Sequence, residues 1–80
     1  MKLPRDLSGN DLVRGLRRVG YEQVRQKGDH VQLKAMQPSE HLVTVPLHNP
    51  IKVGTLSAIL GAVSGHLQIE RDELLRRMKL

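Results

Sequence analysis

Apolar residues recur along this chain with two different periods. Leu12, Val13, Leu16 and Val19 follow one another at helical spacing, while Arg14, Arg17 and Arg18 fall mostly on the opposite side. Ser8 precedes this run and Asp11 stands three residues further on, so Ser8-Gly9-Asn10-Asp11 reads as a capping box opening the helix. Gly20 stands where a glycine would close it. The period then changes to two. Residues 21–26 and 30–36 alternate as strands on either side of Gly28-Asp29, a pair that predicts a tight hairpin turn. Residues 41–47 form a third strand, reached through Gln37-Pro38-Ser39-Glu40. With a two-residue turn, Val24, Val31, Leu33, Val43 and Val45 share one face of the sheet. Tyr21, Gln23, Arg25, Lys27, His30, Gln32, Lys34 and Thr44 share the other.

Helical spacing returns after the irregular stretch Pro46-Leu47-His48-Asn49-Pro50. Thr55 is the expected N-cap of a second helix, Leu56, Ile59, Leu60 and Val63 its buried stripe, and Gly65 its end. The other side of that helix, Ser57, Ala58, Gly61, Ala62 and Ser64, carries no charge. Such a face is expected to pack on the last segment, on a second copy of the chain or on a partner. Residues 69–78 make a third, strongly charged helix with Leu74, Leu75 and Met78 as its apolar edge, and residues 1–7 a short lead-in in which Pro4 limits helix. The expected architecture is one α+β domain over residues 1–80: a two-layer α-β-β-β-α arrangement whose helices cover one face of a three-stranded antiparallel sheet. That is the layout of double-stranded-RNA-binding domains.

Charge adds a direction to this layout. The chain has 13 Lys and Arg against 8 Asp and Glu, a net charge of +5, and residues 1–34 hold eight of the 13 cations against four of the acids. The excess belongs to the first helix and the hairpin, a local field that favours phosphate or an acidic partner. Tyr21 is the one aromatic residue besides the histidines, so base stacking on exposed rings is a poor fit, and backbone charge and shape would dominate any contact with RNA. The chain has no cysteine, which excludes disulfides and cysteine-metal sites. It has no apolar run near the ~20 residues that span a bilayer, and its start lacks the apolar core of a signal peptide. A soluble, cytoplasmic protein is expected.

Among the four histidines, His30 has the best context for chemistry: it follows the glycine turn on the polar face, among Arg25, Lys27 and Lys34. The histidine spacings 30, 41, 48 and 66 match no zinc pattern, so neither a metal nor a cofactor is expected. Only His48 can approach His30, because position 46 falls roughly opposite it. Neither Ser8 nor Ser39 has a visible histidine–acid pair, and no phosphate-binding glycine loop is present. A lone histidine among cations suits cleavage of RNA by its own 2′-OH, since the substrate brings the nucleophile and the protein need only move a proton and stabilise charge.

Five blocks then carry a family resemblance: Leu3-Pro4-Arg5-Asp6-Leu7-Ser8-Gly9; Leu16-Arg17-Arg18-Val19-Gly20-Tyr21-Glu22; Arg25-Gln26-Lys27-Gly28-Asp29-His30-Val31; Val43-Thr44-Val45-Pro46-Leu47-His48; and residues 52–60. In order and spacing, over roughly residues 3–75, the chain resembles the HicA toxins of toxin–antitoxin pairs. The resemblance implies a double-stranded-RNA-binding fold, metal-independent cleavage of mRNA, His30 as the catalytic histidine, and a HicB-like antitoxin covering the face around it. Under this reading Arg25, Lys27, Gly28 and Lys34 contact RNA, with Arg14, Arg17 and Arg18 as further contacts. Two departures stand out. Asp29 occupies a place where the family often has serine, and Ser57, Gly61 and Ala62 stand where the second helix often carries basic residues. Asp29 would either orient the imidazole or repel phosphate. The small-residue face of the second helix is left as a surface for self-association. Two other readings stay open, a non-catalytic RNA-binding module of the same fold and a protein-interaction domain whose basic face meets an acidic partner.

Overall fold

In the computed structural model, which describes residues 3–4 and 6–80, helix α1 spans Gly9–Arg18 and opens on the expected capping box. The Asp11 amide donates to Ser8 Oγ and the Ser8 amide to Asp11 Oδ2, each at 3.1 Å, which satisfies two amide groups at the helix start. Those two hydrogen bonds, with the charge of Arg14 behind them, hold the Asp11 carboxyl below its ordinary range. The helix ends at Val19, and Gly20 follows at φ +98°. Of the lead-in, Met1, Lys2 and Arg5 lie outside the described residues.

Three strands follow, β1 (Tyr21–Lys27), β2 (His30–Ala35) and β3 (His41–Pro46), in the antiparallel order β1-β2-β3. Helices α2 (Val53–Leu67) and α3 (Arg71–Met78) complete the chain. Helix α1 packs on β1 and β3, α2 on β3, and α3 on α1 and α2, so all three helices lie on one side of the sheet. This is the expected α+β arrangement, a helix, three strands and helices, as in double-stranded-RNA-binding domains. One core joins the layers: Leu12, Leu16, Leu33, Val45, Leu60, Val63, Leu74 and Met78 are all fully buried. Among the described residues no helix is long and apolar enough to cross a membrane.

The expected faces of β1 need correction. Gln23 pairs with Leu33, but the next partner of Gln32 is Arg25, so Val24 is the extra residue of a β-bulge. An extra residue inverts the inside–outside alternation on its far side. Tyr21, expected on the polar face, is therefore fully buried, and Val24, expected in the core, is 52% exposed. Beyond the bulge, towards the turn, Arg25, Lys27 and His30 lie on the open face as expected. The second strand ends one residue early, leaving Met36 exposed, and the third at Pro46.

Helix α2 differs at both ends. Its N-cap is Lys52 instead of Thr55, and it runs through Gly65 to Leu67, where Gln68 takes the left-handed closing conformation at φ +56°. Leu56, Ile59, Leu60 and Val63 form its buried stripe as expected. The third helix begins at Arg71, two residues later than its apolar pattern suggested. Its first residue reaches back: Arg71 donates to Ser57 Oγ at 3.0 Å and to Ser57 O at 3.1 Å. Part of the small-residue face is thus occupied by the chain's own last helix, while Ala58 and Ala62 stay exposed.

Candidate active site at the hairpin turn

Gly28 and Asp29 are the two central residues of the β1–β2 turn, with Lys27 and His30 paired across it. Only Gly28 has positive φ, +59°, the pattern of a type II′ turn with glycine first. A side chain at position 28 would meet nothing within 4 Å, so backbone conformation and not space calls for glycine there. The turn delivers His30 to the open face, its side chain 58% exposed. Two rows of residues then line up across the sheet: Lys27, His30 and Pro46 in one, Arg25, Gln32 and Thr44 in the next. Arg25, Lys27, His30, Gln32 and Thr44 line a shallow depression of about 290 Å³.

Asp29 stands between two histidines. His30 Nδ1 lies 2.9 Å from Asp29 Oδ1, and His48 Nε2 lies 3.4 Å from Asp29 Oδ2. His48 arrives from the loop between β3 and α2, which is pinned on two sides. The Leu47 amide donates to Asp29 O at 2.6 Å, extending the β2–β3 pairing onto the turn. On the other side the Gly9 amide, at the start of α1, donates to His48 O at 2.9 Å. The approach is close enough that a Cβ on Gly9 would sit 2.6 Å from Leu47 Cα, so this position also requires glycine. The Ile51 amide donates to Leu7 O at 2.8 Å and holds the loop's exit.

The remaining site residues named from the sequence divide. Arg25, Lys27 and Gly28 surround His30. Lys34 does not: it is four residues away on β2, about 13 Å along the strand, and its Nζ lies 2.7 Å from Glu40 Oε2. That contact holds the Glu40 carboxyl below its ordinary range. Lys34 also borders a second cleft of about 520 Å³ with Val19, Glu22, Val24, Met36 and Leu67. The arginines of α1 belong to the helix layer, away from the open face. Arg14 pairs with Asp11, and Arg18 donates to Met78 O at 3.0 Å, tying α1 to the end of α3; Arg17 is exposed. His48, Gln32 and Thr44 are additions. Position 46 opposite His30 was the sequence signal for the first, and the shared strand face for the other two. Among the described residues, no group of three or more His, Cys, Asp or Glu side chains is arranged to hold a metal ion.

The other two histidines are elsewhere. His41 and His66 stack with ring centroids 4.4 Å apart, and His41 Nδ1 is hydrogen-bonded to the Tyr21 hydroxyl at 2.7 Å. Burial pushes the Tyr21 phenol up to about 12, and burial together with the neighbouring His66 pushes His41 down.

Comparison with known proteins gives a family match. The sequence model of the family described as HicA toxin of bacterial toxin-antitoxin covers residues 9–63 of the 80-residue chain, from the first residue of α1 into α2. The matched span contains Arg25, Lys27, Asp29, His30 and His48; α3 lies beyond it. No curated protein and no solved structure matches the chain.

Proposed function

The chain belongs to the HicA toxin family of toxin–antitoxin systems, and from that premise we propose that it is an endoribonuclease that cuts mRNA in the cytoplasm with His30 as its general base. The observation that carries this reading is the exposed imidazole of His30 in a depression whose other charged side chains, Arg25 and Lys27, are both cations. His30 Nε2 takes the proton from a ribose 2′-OH. The 2′-oxygen attacks the adjacent phosphorus, the bond to the 5′-oxygen breaks, and that oxygen leaves with a proton drawn from solvent. The products are a 2′,3′-cyclic phosphate and a 5′-hydroxyl. Arg25 and Lys27 stabilise the extra negative charge on the phosphorus oxygens as it develops.

A HicB-like antitoxin covers the open face in this reading. Val24, Met36 and Leu42 are exposed apolar side chains on or beside that face, and a partner segment combining apolar and acidic residues would complement both them and the cations. Lys34, paired with Glu40, belongs to this docking ground more than to the phosphate site.

The deciding experiment incubates wild type and His30→Ala with a structured mRNA in EDTA. Cleavage by wild type alone, leaving 2′,3′-cyclic phosphate ends, is the expected result. Equal RNA binding by two folded proteins that both leave the RNA intact would favour a non-catalytic RNA-binding module.

A further inference from the structure

We infer that Asp29 and His48 are positioning residues for His30, with one carboxylate held between two imidazoles. The inference rests on the reading of His30 as the base.

A neutral imidazole carries one proton on one of two nitrogens, and only the bare nitrogen can act as a base. An ionised carboxylate only accepts. With Asp29 Oδ1 at 2.9 Å from His30 Nδ1, a bare lone pair on Nδ1 would face negative charge, whereas a proton there is attracted. The proton therefore stays on Nδ1, and Nε2 is left bare to take the 2′-OH proton. This is the same logic by which a carboxylate fixes the tautomer of a catalytic histidine in hydrolase triads.

A carboxylate on an exposed turn would rotate freely if nothing else held it. Here its second oxygen lies 3.4 Å from His48 Nε2, so each oxygen faces a different ring. His48 can play this part because its backbone is fastened on both sides: the Leu47 amide donates to the Asp29 carbonyl and the Gly9 amide to the carbonyl of His48 itself. The turn that carries Asp29 and the loop that carries His48 are thus stitched together by main chain before any side chain is considered. The arrangement also answers the cost of an acid beside a phosphate site. The charge of Asp29 lies between two imidazole rings, 2.9 Å from one and 3.4 Å from the other, which offsets part of its repulsion of phosphate.

The test uses the full chain labelled with 15N and long-range 1H–15N correlation of the histidine rings, recorded above their titration range and without RNA. Neutral His30 is expected in the Nδ1–H form in wild type. Asp29→Asn and Asp29→Ser are each expected to move it towards the Nε2–H form and to lower kcat by about 100-fold or more, with KM little changed. His48→Ala is expected to shift the tautomer partly and to lower kcat by about 10-fold, whereas His48→Gln, which keeps a donor for Oδ2, recovers most of both. A His30 ring that is Nε2–H in wild type, or that ignores both Asp29 substitutions, overturns the inference. Because the tautomer is read without substrate, a protein with the expected ring signals that never cuts RNA would overturn only the ribonuclease reading.

Discussion

The four histidines of this protein form two pairs that make opposite use of the same side chain. His30 and His48 sit on the open face, half exposed, with the carboxylate of Asp29 between them. His41 and His66 sit at the far end of the sheet on its covered face, stacked on each other beside the buried ring of Tyr21. In the first pair each ring faces the carboxylate of Asp29. In the second, His41 meets a phenol and another imidazole, and His66 Nε2 is buried with no hydrogen-bond partner among the described residues. One environment leaves the rings half exposed to solvent; the other uses the rings as flat packing elements and disfavours the charged form of His41. The surroundings of a histidine, more than its presence, decide whether it can do chemistry.

This contrast is open to direct attack. The largest effect should come from exchanging the losses. His30→Ala should lower cleavage by about 10²–10⁴-fold and change stability by less than about 0.5 kcal/mol. His66→Ala should leave cleavage intact and lower the melting temperature. Rates and melts on the same preparations check both, and a similar fall in rate for the two variants would dissolve the distinction.

Next in size is the buried hydroxyl. Tyr21 is fully buried and its hydroxyl is hydrogen-bonded to His41, so His41→Ala should destabilise the fold by about 1–3 kcal/mol in urea unfolding. Adding Tyr21→Phe should recover part of that loss, because the orphaned hydroxyl goes with it.

A smaller effect follows from acid. The pKa of His41 lies below the ordinary value of 6.5 in the folded chain, first because burial disfavours the imidazolium and then because His66 is adjacent. The unfolded chain therefore binds more protons. Stability from this residue is complete above about pH 6.5 and is lost as pH falls through that value towards the folded pKa. The urea midpoint should drop between about pH 7.5 and pH 5, and His41→Gln should flatten that slope. The carboxyls held low, Asp11, Glu40 and Glu73, act in the same direction but only as pH falls through the carboxylate range, from about pH 4.5 downwards, so the two windows separate.

The smallest effect tests the bulge. Val24→Lys should change stability by less than about 0.5 kcal/mol, since the side chain is 52% exposed. A large loss would return Val24 to the core.

Much of this molecule could be read from neighbouring residues alone. The Ser8–Asp11 capping box, the Gly28-Asp29 turn, the alternation of β2 and β3 and the apolar stripe of α2 depend on contacts within a few residues or on strict period, and these are properties of the chain itself. His30 on the open face follows from the turn and the alternation together. The remaining features depend on residues far apart in sequence. One inserted residue at Val24 inverted the start of β1, and nothing in its local pattern distinguishes a bulge from a regular strand. Lys34, four residues along β2 from His30, paired with Glu40; Met78 engaged Arg18; and Arg71 settled which of the expected partners, the chain's own last segment, takes part of the small-residue face. The meeting of His48 with Asp29 required helix α1 and the hairpin to grip one loop from opposite sides. Element order and the face that carries the candidate base were legible in the chain, because those are local or periodic, although the bounds of α2 and α3 and the start of β1 were not. Only the packed structure decided which charged and polar groups surround that base, because such contacts form wherever the layers happen to bring distant side chains within reach.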